Sequence, residues 1–149
     1  MRGNLGLGIM VALVATMAAT LAAGTLPAEN AAAVEGEIRE ALAAEQRALA
    51  AGGCDAALAF FSDREPLFIS DGRVRANKAA VRSVCAAGMP TMPASGRKVQ
   101  GHSIQVLSLT SGYSVTTYLG RDANVQVVTK IWEKGTSGWR IVHAHESGR

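Results

Sequence analysis

With 149 residues the chain has room for one domain, and its net charge of +3 comes from dispersed Lys and Arg without an aromatic-basic stripe. That excludes an electrostatic nucleic-acid binder in spite of a pI near 9.2. Neither Cys-x-x-Cys, nor a His beside a Cys, nor a phosphate loop occurs, so no metal and no cofactor are expected.

From Leu5 to Ala23 the chain is apolar and uncharged, follows Arg2, and runs into small residues, the layout of a secretory signal peptide. Ala22-Ala23-Gly24 offers a cleavage site and Ala28 a second. Residues 1–28 are therefore expected to be a leader, 29–149 the mature domain, and the protein secreted or periplasmic. The alternative is an uncleaved membrane anchor, because the run lies near the lower limit for a spanning helix.

Val34, Ile38, Leu42, Glu45 and Leu49 recur at helical spacing and predict a long first helix that ends at Gly52-Gly53. A second helix is expected from Asp55 to Ser62. Pro66 opens a short extended segment, and Ser70-Asp71-Gly72-Arg73 has turn chemistry. Asn77 suits the N-cap of a third helix, Lys78 to Ala87, which Gly88 and Pro90 terminate. After an irregular connection, four strands follow: Lys98 to Leu109, Tyr113 to Leu119, Val125 to Lys134 and Trp139 to Glu146. Helices first and strands after is an α+β pattern. Cys54 and Cys85 both fall in the mature part. They read either as a disulfide, worth roughly 3–4 kcal/mol in an exported chain, or as two small buried apolar residues.

The last two strands form a hairpin closed by Gly135-Thr136-Ser137-Gly138. With Thr136 and Ser137 at the tip, Trp132 faces Ile141, Lys130 faces His143, Thr129 faces Ala144 and Val127 faces Glu146. Alternation then gives one face Val127, Thr129, Ile131, Val142, Ala144 and Glu146. The other takes Val128, Lys130, Trp132, Trp139, Ile141, His143 and His145. Both are mostly apolar, so both should be covered, one by the helices and one by a partner.

Thr129-Lys130-Ile131-Trp132 followed by Gly138-Trp139-Arg140-Ile141-Val142-His143-Ala144-His145-Glu146-Ser147 resembles the closing strands of the nuclear transport factor 2-like superfamily. The nearest branches are the SnoaL-like domains of the DUF4440 type and the association domain of calcium/calmodulin-dependent kinase. Ala50 to Phe61 is similar to the family's helix break and second helix, and Leu67 to Gly72 to its first strand. The resemblance implies three helices wrapped by a strongly curved, mainly antiparallel sheet, a cone whose interior binds ligands.

On the face expected to look into the cone, Glu146 stands where the kinase association domain has an arginine. A carboxylate against an apolar wall has its charged form disfavoured, which is how a general acid or base is made. The alternative is a solvated Glu146 or one paired with Arg140. Tyr118, Thr129, Arg140, Val142 and Ala144 are the expected ligand contacts, with Tyr118 the best donor among them. Val128, Trp132, Trp139, Ile141, His143 and His145 are the expected homodimer interface. The two histidines share a face as metal ligands would, but a third ligand is missing. The expected function is binding of a small, partly apolar molecule without turnover. The alternatives are a cofactor-free isomerase, dehydratase or hydrolase using Glu146, and an oligomerising assembly module.

Overall fold

The computed structural model describes residues 26–148 except 71, 87–97 and 121–122, with the backbone alone for 84–86. The signal-peptide reading thus falls almost wholly outside the described residues, as does the side chain of Cys85. The chain runs α1 (Ala28–Leu58), β1 (Leu67–Ser70), β2 (Arg73–Arg75), α2 (Lys78–Ala86), β3 (Lys98–Ser108), β4 (Ser111–Leu119), β5 (Val125–Gly135) and β6 (Gly138–Gly148).

The two expected amino-terminal helices are one element broken at Gly53, whose φ of 66° interrupts the helical path. Glycine reaches that region without a Cβ penalty, so the break sits where the sequence places it. The predicted repeat is the buried stripe of α1, with Val34, Ile38, Leu42 and Glu45 all removed from solvent. At α2 the Asn77 Oδ1 accepts the Ala80 N–H at 2.8 Å, as an N-cap should. A strand too short to be legible, β2, pairs antiparallel with β1 across the predicted turn.

The six strands make a curved, unclosed sheet in the order β2-β1-β6-β5-β4-β3, with β1 parallel to β6 and the other pairs antiparallel. α1 lies in the concavity against β3, β4 and β6. Ile38 and Leu42 meet Trp132, Trp139, Ile141, Phe61 and Phe68 in the core.

The hairpin tip is where the sequence puts it, because Gly135 pairs with Gly138 and Trp132 with Ile141. Beyond that point the register shifts. Ile131 pairs with His143 and Lys130 with Ala144, so Val142 is an extra residue, a β-bulge. The other edge of β6 fixes it. Ile141 N–H donates to the Phe60 carbonyl and its carbonyl accepts from Ser62 N–H, both at 2.8 Å, whereas the pairing with β1 begins one residue past the bulge, Leu67 with His143. β6 is therefore held in two registers by two different neighbours.

Helix and sheet approach closely at Gly112. A Cβ built there would lie 2.6 Å from Ile38 Cδ1 and 2.9 Å from the Gln105 carbonyl oxygen. Ile38 is fully buried and the carbonyl is fixed in a strand, so neither can yield. Gly112→Ala should cost about 1–3 kcal/mol by overpacking, measured by urea denaturation. An unchanged midpoint would mean that α1 does not rest on β4 here.

Candidate functional site

The bulge decides what faces the cone. On the concave side, register places residues in cross-strand rows: His102, Thr116, Val128, Glu146 and Ser70 in one, and Ile104, Ser114, Lys130, Ala144 and Phe68 in the next. A third row holds Val106, Gly112, Trp132 and Ile141. On the convex side lie Val115, Thr129, His145 and Ile69, and beside them Tyr113, Ile131, His143 and Leu67.

Several expectations are therefore corrected. Trp132 and Ile141 are 0% exposed, and Trp139 and Val128 are buried, so these four belong to the interior and not to a dimer face. Thr129 points outward with Val127 and Ile131, and Val142 is the bulged residue; neither lines the cavity. Arg140 stands opposite Glu133, donates to the Trp139 carbonyl at 3.1 Å, and is also absent from the cavity wall. His143 and His145 are convex as expected. Ala144, Glu146 and Tyr118 do line the cavity. One extra residue explains this division, because a slip of one reverses every side chain beyond it.

A cavity of about 90 Å³ lies between α1, α2 and the concave sheet. Leu49, Leu58, Phe61, Phe68, Val81 and Val128 form most of its wall, while Ala57 and Ala144 contribute small side chains that leave the space open. Cys54 also reaches it, just past the helix break. Its polar lining is made by Glu45, Lys130, Tyr118 and Glu146.

Sequence reasoning missed the central pair. Lys130 Nζ donates to Glu45 Oε2 at 2.6 Å, with side chains only 10% and 4% exposed. Glu45 interrupts the apolar stripe of α1 and is the one signal that a buried partner had to exist. An unbulged register sets Lys130 on the outer face together with the tryptophans. Nearby, Gln46 Nε2 donates to the Tyr118 hydroxyl at 3.5 Å. Trp132 Nε1 donates to Ser114 Oγ at 2.9 Å, which satisfies the indole in the core. Glu37 Oε2 ties α1 to the hairpin by accepting from Lys134 Nζ at 2.6 Å and Trp139 Nε1 at 2.7 Å, and these hydrogen bonds hold its carboxyl below the usual range.

His102, at the edge of the first row, contacts Thr116 Oγ1 through Nδ1 at 3.1 Å. Partial burial, helped by the Arg39 and Lys130 cations, holds its imidazole below the ordinary histidine range. It is remote in the sheet from His143 and His145, and no metal-ligand cluster occurs among the described residues. What the cavity can do chemically is accept a compact apolar group and offer it one ion pair, a phenol and a carboxylate.

No protein-family model matches the sequence, and no curated protein is significantly similar to it. Solved structures are. A protein of unknown function of the DUF3225 family from Pectobacterium atrosepticum superposes with a TM-score of 0.72 at 22% identity, covering 85% of this chain and 99% of its own. An NTF-2 like protein of unknown function from Shewanella oneidensis gives 0.62 at 20% identity, covering 75% and 97%. A calcium/calmodulin dependent protein kinase II association-domain-like protein from Xanthomonas campestris gives 0.57 at 16%, covering 76% and 86%. The order of elements, the unclosed curved sheet around α1 and these neighbours establish that the chain has the nuclear transport factor 2-like, or cystatin-like, fold.

Proposed function

We propose that the chain is an exported binding protein that takes a small, partly apolar molecule into its cone without converting it. The observation that carries this reading is the cavity, apolar along most of its wall, with Glu45, Lys130 and Glu146 as the charged residues among its lining. Such a division orients a ligand while burying its tail. Purifying the protein from its native source and identifying extracted small molecules by mass spectrometry tests it; protein that repeatedly carries none would oppose it. The second reading, a cofactor-free enzyme, is favoured by Glu146, which lines the same cavity as the ion pair. Glu146→Gln separates the two: a binder keeps its ligand with a changed affinity, whereas an enzyme loses turnover and accumulates bound substrate.

Export, the disulfide and self-association belong to the same proposal. The uncharged run after Arg2 supports export, and intact mass should then place the mature terminus between Gly24 and Glu29. An oxidising compartment suits a bond between Cys54 and Cys85. The Asp55–Arg82 ion pair at 2.6 Å, one residue after Cys54 and three before Cys85, links α1 and α2 beside these two positions and supports the pairing. Two thiols titrating in native protein would exclude the bond. For the second copy we propose the convex face, where Val115, Ile131, His143 and His145 lie by register; it keeps the two histidines and loses the tryptophans. Monomeric sedimentation at micromolar concentration would exclude it. The SnoaL-like placement rests on the closing-strand resemblance.

A further inference from the structure

We infer that the cone selects a small uncharged carbonyl compound, such as a short ketone or ester, whose oxygen accepts an N–H from Lys130 beside Glu45. This rests on the cavity being a ligand site, as proposed above, and adds the chemistry of the ligand.

Three observations point to it. An ammonium carries three donors. Among the described residues Glu45 is the one hydrogen-bond partner of Lys130, so donor capacity remains in the polar lining of the cavity. Second, the charge of Lys130 is already balanced by a carboxylate at 2.6 Å, in a site from which both side chains are nearly excluded from water. A ligand bringing its own negative charge would leave an excess anion against an apolar wall, which is costly, whereas a neutral acceptor adds a hydrogen bond without adding charge. Third, size is limited. The cavity is about 90 Å³, several times the roughly 10–15 Å³ that a single water needs, and so suits a compact molecule. Ala144, paired with Lys130 across β5 and β6, lines the cavity with a small side chain, and Leu49, Leu58, Phe61 and Phe68 receive the tail.

The test uses the mature protein and three probes of similar shape: 2-hexanone, its methylidene isostere 2-methyl-1-hexene, and hexanoate. Binding is followed by the methyl chemical shifts of Val128 and Ala144, which report from this cavity alone. The ketone should bind about tenfold or more tightly than the isostere, the effect of one hydrogen bond to a charged donor, and also more tightly than hexanoate. In the E45M/K130M double variant the preference over the isostere should fall to about threefold or less while the isostere still binds. Equal affinity of ketone and isostere in the wild type, tighter binding of hexanoate, or a ketone preference that survives in the double variant would each overturn the assignment to Lys130 while leaving the cavity a ligand site. Shifts from none of the three would overturn both readings.

Discussion

Trp132→Glu will unfold the domain. The indole is fully buried in the third concave row, between Gly112 and Ile141, beneath Ile38 of α1. Replacing it removes the largest fully buried side chain, for which truncation of a Trp typically costs about 3–5 kcal/mol, and puts a carboxylate into the apolar core. Trp132→Phe isolates a smaller part of the effect, since it keeps most of the apolar contact but takes the indole N–H away from Ser114 Oγ. Urea denaturation monitored by far-UV circular dichroism should show Trp132→Phe folded with a lowered midpoint and Trp132→Glu without a cooperative transition. A Trp132→Glu protein that stays folded and merely sediments as a smaller species would return this residue to an oligomer surface and invalidate the bulged register.

That outcome bears on how far the sequence alone reaches. The helix stripe from Val34 to Leu49, the break at Gly53, the Asn77 cap and the Thr136-Ser137 tip were all legible, because each depends on residues a few positions apart. The bulge at Val142 was not. No Gly or Pro marks it in Ile141-Val142-His143-Ala144, and it exists because two segments distant in sequence, Phe60 to Ser62 and Leu67 to Ser70, hold β6 on its far edge in different registers. An unbulged strand would have put either Trp139 and Ile141 inside together with His143 and His145, or Ala144 and Glu146 inside without Trp139 and Ile141. The bulge allows the large residues near the turn and the small ones further on to share the concave face, and it is this combination that packs one end of the cone and leaves a cavity at the other. Of the expected site residues Glu146, Ala144 and Tyr118 line the cavity, while Lys130 is hidden in the flipped half of the hairpin.

The second large effect is expected at the ion pair that the flipped register concealed. Glu45 and Lys130 lie 85 positions apart and are almost without solvent, so the attraction between them is set against the desolvation of both. Lys130→Met leaves the Glu45 carboxylate buried without compensation, and Glu45→Met does the same to the ammonium. Each single variant should lose about 3–5 kcal/mol. The double variant replaces two opposed charges by two unbranched apolar chains of similar length, so it should lie within about 1–2 kcal/mol of the wild type, or above it. The signature is the coupling: the two single losses sum to far more than the double one, which a pair screened by water would not give. Linear extrapolation of urea unfolding for the four proteins measures it. A coupling below about 1 kcal/mol would mean that water reaches both groups, and a double variant as unstable as the singles would mean that Met cannot fill the space. In the expected case the pair adds little net stability over an apolar core. Its retention in the lining of a mostly apolar cavity is then better explained by what Lys130 offers to a ligand than by what it contributes to folding.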